Sequence, residues 1–174
     1  KYVDVGSLSL NFYPKPTDQY LGAQVVSLVS IFRPSRSDEE QGCKDLGSFA
    51  RATRNRNLKI NIIGSQVSAE RAKLERSFYD KAFANQPFEL LVRSSTRSSY
   101  EKLSNSSIFI VDQSTLGYEA LSIGLRVGFV SFQPPFRLTD RFGKPLEFGE
   151  KGPFWTNDPS EEEIGRILDY LLTV

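Results

Sequence analysis

The sequence predicts an α/β fold, a doubly wound parallel sheet of about five strands in the order 3-2-1-4-5. Three observations predict it. Short, nearly continuous apolar runs recur along the chain, as strands covered on both faces require. Helix-start signals and helical spacing fill the intervals between them. Alternation of this kind closes a parallel sheet with helices on both faces.

The first strand is predicted over residues 25–32 (VVSLVSIF). Ser37-Asp-Glu-Glu40 is a capping box, and Cys43, Leu46 and Ala50 follow at helical spacing. Residues 58–63 (LKINII) form the second strand, closed by Gly64-Ser65. Ser68 can cap another helix, carrying Leu74, Phe78, Ala82 and Phe83. Pro87 ends that connection before the third strand, residues 88–92 (FELLV). A short helix is expected around residues 99–103, a fourth strand at 108–111, a helix at 115–124 and a fifth strand at 127–132. Residues 133–158, rich in Pro, Phe and Arg, read as a long loop. Ser160-Glu-Glu-Glu163 then caps a terminal helix with a stripe of Ile164, Ile167, Leu168 and Leu171. Residues 1–20 carry "FYPKPTDQY", whose prolines disfavour regular structure, and read as an entry or interdomain segment. Residues 21–174 form the domain.

Bulk composition narrows the function. The 174 residues are 39% hydrophobic with net charge +1, enough for one core and too neutral to recruit nucleic acid through a global field. No apolar run reaches the roughly 20 residues of a membrane span. One Cys and no His exclude a Ser-His triad, a His-based metal site and an internal disulfide. Cys43 reads as a small buried hydrophobe. The absence of Met as well suggests a fragment of a longer protein.

In the 3-2-1-4-5 order, ligands bind at the carboxyl ends of the strands flanking the reversal, here strands 1 and 4. Those ends are Arg33-Pro-Ser-Arg36 and Asp112-Gln-Ser-Thr115. Ser114 or Thr115 caps the following helix, whose first amides and dipole attract phosphates. Gly117 keeps that turn free of bulk. Glu119, one turn deeper, can accept two hydrogen bonds from a vicinal diol. Arg33 or Arg36 can neutralise a phosphate across the crevice. The same residues also have plainer readings. Ser-Thr starts helices well, a Glu near an N-terminus suits the dipole, and Gly117 and Gly124 serve close packing and a C-cap.

The stretch "DQSTLGYEALSIGLRVGFVSF" resembles the donor-binding segment of GT-B glycosyltransferases, and most of all the transferases of bacterial O-antigen or capsule biosynthesis. "VGSLSLNFYPK" is similar to the segment that precedes the carboxyl-terminal domain in that group, and "GPFWTNDPSEEEI" to its closing region. The likeness runs over most of residues 5–172, with residues 114–124 its most specific part. It implies a Rossmann-like domain, one half of a GT-B fold, that binds a nucleotide sugar. Ser114 and Thr115 would hold donor phosphates, and Glu119 the sugar or ribose hydroxyls. Related motifs serve polyol-phosphate transferases and UDP-sugar 2-epimerases, so the donor stays open. GT-B enzymes place the acceptor, and often the base, on an amino-terminal Rossmann-like domain. The resemblance therefore implies such a partner domain, a glycan or lipid-linked glycan acceptor, a catalytic base outside this chain, and inactivity of this half alone.

The resulting donor-face candidates are Arg33, Arg36, Gly64, Ser65, Arg93, Ser114, Thr115 and Glu119. No Asp-x-Asp occurs, so metal bridging is not suggested, and no cofactor is expected beyond the co-substrate. Phe136, Arg137, Arg141, Phe148, Phe154 and Trp155 in the long loop read as self-packing or as acceptor contacts. Cytoplasmic placement is expected, with peripheral association at the inner membrane face. Two other classes compete. A non-catalytic nucleotide-binding module predicts binding without turnover. A receiver domain needs clustered acids after strand 1, where this chain has Arg33-Pro-Ser-Arg36.

Overall fold

The computed structural model describes residues 24–32, 39–84, 86–94, 98–112, 114–132 and 151–174. Arg33, Arg36, the start of the first capping box, the entry segment and residues 133–150 of the long loop lie outside them. Chain order is β1 (Val25–Val29), α1 (Glu39–Arg54), β2 (Lys59–Ile63), α2 (Ala69–Phe83), β3 (Phe88–Leu91) and α3 (Ser98–Glu101), which runs into a 3₁₀ turn. Then come β4 (Ile108–Val111), α4 (Thr115–Ser122), β5 (Arg126–Val130), β6 (Lys151–Gly152), β7 (Trp155–Thr156) and α5 (Glu161–Thr173).

The described strands form one sheet in the order β3-β2-β1-β4-β5-β7-β6. All neighbours are parallel except β6 and β7. The predicted 3-2-1-4-5 arrangement is present, in a Rossmann-like α/β fold, with strands 1 and 4 adjacent. One correction concerns the long loop. Its last part contains the short β6–β7 hairpin, and β7 extends the sheet beyond β5. A two-residue strand carries no periodicity for sequence to reveal.

The sheet is covered on both faces because its residues alternate between two cores. Val26, Leu28, Ile60, Ile62, Ile108 and Ile110 point to the α1, α2 and α5 side. Ile63, Phe109, Val111, Val127 and Phe129 point to the α4 side. Helix α5 presses closely on β5 and β4. A Cβ at Gly128 would lie 2.7 Å from the Ile167 side chain and 2.8 Å from Ile110. Arg56 locks the same helix to the end of α1 through Asp169 at 2.5 Å, and Arg51 reaches Glu161 at 2.8 Å. On helix α2, Ala72, Glu75, Phe78, Tyr79, Ala82 and Phe83 face inward, and Leu74 is exposed. Cys43 is half-buried and packs against the core.

Candidate functional site

The carboxyl ends of β2, β1 and β4 lie side by side at the reversal of strand order. The residues leaving β1 are Ser30, Ile31 and Phe32. Those leaving β2 are Gly64, Ser65 and Gln66. Ser114 stands at the start of α4 beyond β4. With strands about 4.8 Å apart, the β2 and β4 ends are roughly 10 Å from one another.

A buried acid organises the β1–β2 side. Glu75, on α2, is fully buried. Its Oε1 accepts from the Ser30 hydroxyl at 2.5 Å, the Ser65 amide at 2.8 Å and the Ser65 hydroxyl at 2.9 Å. Its Oε2 accepts from the Gln66 amide at 3.3 Å. Tyr79, one turn further along α2, donates its hydroxyl to Ser30 Oγ at 3.0 Å and accepts from the Ile31 amide at 2.9 Å. Burial pushes the Tyr79 phenol up, so it serves as a neutral hydrogen-bonding group at any physiological pH. Gly64 sits beneath this network. A Cβ there would come within 3.1 Å of Glu75 Oε2 and 3.2 Å of the Leu91 carbonyl. Arg93 reaches the same turn from the end of β3, with Nη1 3.5 Å from the Ser65 carbonyl.

On the β4 side, Ser114 has extended backbone geometry, and its hydroxyl accepts from the Leu116 amide at 3.3 Å. Its carbonyl accepts from the Gly117 amide at 3.1 Å. Ser114 is thus the N-cap of α4. Thr115 is exposed, and Glu119 is half-buried on the same side of the helix, one turn further on. Gly117 faces the opposite way. A Cβ there would meet Val111 Cγ2 at 2.6 Å and Phe129 Cε1 at 3.1 Å. Its smallness therefore serves helix-on-sheet packing, the plainer of its two sequence readings. Gly124, with φ +87°, ends the helix region in the left-handed conformation expected of a terminating glycine.

The eight candidates therefore fall into groups. Gly64, Ser65 and Arg93 gather at the β2–β3 ends. Ser114, Thr115 and Glu119 gather at the head of α4, and Arg33 and Arg36 lie outside the described residues. Glu75 and Tyr79 were missed, although the pattern held a signal. Positions 72, 75, 79 and 82 are one helical face, and an acid on an otherwise apolar face marks a buried polar hub. Phe154 and Trp155, assigned to the long loop, pack into the core beside Phe129, with Phe129 and Phe154 centroids 6.4 Å apart.

A second buried acid lies on α1. Asp45 is 5% exposed, and Gln41 Nε2 donates to its Oδ1 at 2.7 Å. Burial first, with the Asp158 charge adding to it, raises its pKa to about 6 against the lowering pull of Gln41 and Lys44. Among the described residues no group of three His, Cys, Asp or Glu side chains can hold a metal ion. No helix among them is long and apolar enough to cross a membrane.

No curated protein and no solved structure matches this chain. A family model does, over residues 44–174, from within α1 through the whole of α5. That span holds Glu75, Ser114 and Glu119 and every strand but β1, and it makes the chain a member of the family described as "putative O-antigen biosynthesis protein".

Proposed function

We propose that this domain is the donor-binding half of a glycosyltransferase that moves a sugar from a nucleotide sugar onto a surface glycan. Membership of an O-antigen biosynthesis family supports the surface-carbohydrate setting. The observation that carries the donor reading is the reversal of strand order between β1 and β4, with a capped helix opening on it at Ser114. In this reading the outermost amides of α4 and the Ser114–Thr115 turn hold the donor phosphates. Their oriented N–H groups stabilise the charge that develops on the nucleotide as the glycosidic bond to the sugar breaks. Arg93, Arg33 and Arg36 add positive charge along the crevice. Glu119 accepts hydrogen bonds from ribose or sugar hydroxyls. The Glu75 network has a positioning role. Its two oxygens already take four hydrogen bonds, and these hold the Gly64–Gln66 turn against the exit of β1. The acceptor glycan and the catalytic base belong to a partner Rossmann-like domain. Work on a lipid-linked acceptor places the assembly at the inner face of the cytoplasmic membrane.

Calorimetry with UDP, GDP and CMP tests this. At least one should bind. Ser114→Pro should weaken it about tenfold, the scale of one hydrogen bond to a charged group. Ser160→Pro removes the corresponding cap of α5 and should leave affinity unchanged. Failure of all three nucleotides to bind rejects the donor site, and equal losses from both changes point to general unfolding instead.

A further inference from the structure

The opposite, amino-terminal edge of the sheet holds a cavity of about 640 Å³, within the usual range for small-molecule sites. Its polar lining comprises Gln24, Arg54, Asn57, Lys59, Asn61, Gln86 and Glu89. Two of these have hydrogen-bonding capacity that the protein leaves unmet. Asn61, in the middle of β2, is only 9% exposed, and its carboxamide takes no hydrogen bond from the described residues. Gln86 donates Nε2 to Thr53 Oγ1 at 3.1 Å, while its buried Oε1 has no partner. Of the two, the Gln86 oxygen is the buried orphan; buried amides are normally satisfied, so its place in the lining marks the cavity as a ligand site.

We infer that this cavity is a binding site for an uncharged, polyhydroxylated molecule of mono- or disaccharide size. A carboxamide sets a donor and an acceptor side by side, as a vicinal diol does, and four of the lining residues, Gln24 among them, carry one. Asn61 lies in register with Glu89 on β3, so an amide and a carboxylate sit side by side on one face of the sheet. Charge argues against an anion. Helices α1 and α2 both end at this edge, at Arg54 and Ala84, so their dipoles present negative ends to it. Arg54 and Lys59 offset those ends and Glu89, leaving a mixed, near-neutral lining. Asn61 lies three residues, roughly 10 Å along the strand, from Gly64 at the carboxyl-edge crevice, so the site is distinct from the proposed donor site.

The test is a titration of ¹⁵N-labelled 174-residue chain, following the side-chain amide resonances of Asn61 and Gln86. The probes are methyl α-D-glucopyranoside, L-rhamnose and N-acetyl-D-glucosamine, with inorganic phosphate as an anion arm. UDP is added to the same samples, so that failure of the carboxyl-edge site is read separately. Saturable shifts of both amides with at least one sugar are expected, unaffected by UDP. Asn61→Ala should weaken that binding about tenfold, from the loss of a bidentate partner. Glu89→Ala, at an exposed position that leaves the fold intact, should weaken it several-fold and decides the matter if Asn61→Ala does not fold. Shifts with none of the sugars mean a merely hydrated cavity. Shifts with phosphate alone mean an anion site. Sugar binding indifferent to the substitutions places the sugar elsewhere. Each of these overturns the inference.

Discussion

Glu75 and Asp45 are both acids buried on helices that pack against each other on one side of the sheet, yet their surroundings are opposite. Glu75 accepts four hydrogen bonds and ties three chain segments together. Asp45 accepts one, from Gln41, and its Oδ2 is buried with no partner. Burial raises the Asp45 pKa to about 6, so the charged form is strained at neutral pH. The difference teaches that burial by itself does not decide whether an acid stabilises a fold. The supply of donors does.

Removing the well-served acid should have the largest effect. Glu75→Ala strands the Ser30 and Ser65 hydroxyls and the Ser65 and Gln66 amides, and should cost about 4 kcal/mol in urea unfolding. A loss below about 1 kcal/mol would erase the contrast.

Asp45→Asn should act in the other direction. The folded-state pKa is raised from 3.8 to about 6, so the folded protein holds an extra proton between those values. Stability on this account falls as pH rises from 3.8 to 6, and the penalty is complete above pH 6. The amide keeps the Gln41 hydrogen bond and carries no charge. The variant should gain about 2 kcal/mol at pH 7.5 and nothing at pH 3.5. Paired unfolding curves at the two pH values check this. An equal gain at both would assign the effect to packing.

The smallest effect sharpens the comparison from within the network. Ser65→Ala removes one hydroxyl donor while the Ser65 amide still reaches Glu75, so about 1 kcal/mol should be lost. Combined with Glu75→Ala in a double-mutant cycle, that loss should largely vanish, since the hydroxyl then has no carboxyl group to meet.

Much of the fold was legible because its strands and helices carry strong periods. Alternation gave the parallel doubly wound sheet, and 3-2-1-4-5 was expected as the usual order for five such strands. The failures have identifiable causes. The apolar residues of α2 named from sequence, Leu74, Phe78, Ala82 and Phe83, do not by themselves give its buried face, which turns toward 72, 75 and 79 with an acid at its centre. The β6–β7 hairpin is held by Trp155 packing, and by Lys151 and Arg166 gripping Glu163 from either side, contacts distant from any local pattern. At the site, the Ser114 cap was legible because N-cap chemistry is local. The reach of Glu75 to Ser65 and Ser30 was not, because it depends on how α2 lies over two strands. The polar cavity at the amino edge was also invisible, since its lining comes from β2, β3 and the ends of α1 and α2, which only the fold brings together.

The two flanks of the sheet bear on how crowded copies of this protein behave. Exposed strand margins are templates on which other chains can add and start aggregates. Among the described residues, one margin is β6, which offers two residues, and its Lys151 is held by Glu163 at 2.8 Å. The other is β3, four residues long, preceded by Pro87, which has no amide to donate, and carrying the exposed Glu89. Shortness at one side, and a proline with a charge at the other, act as gatekeepers that keep a seven-stranded sheet from recruiting an eighth strand from a neighbour.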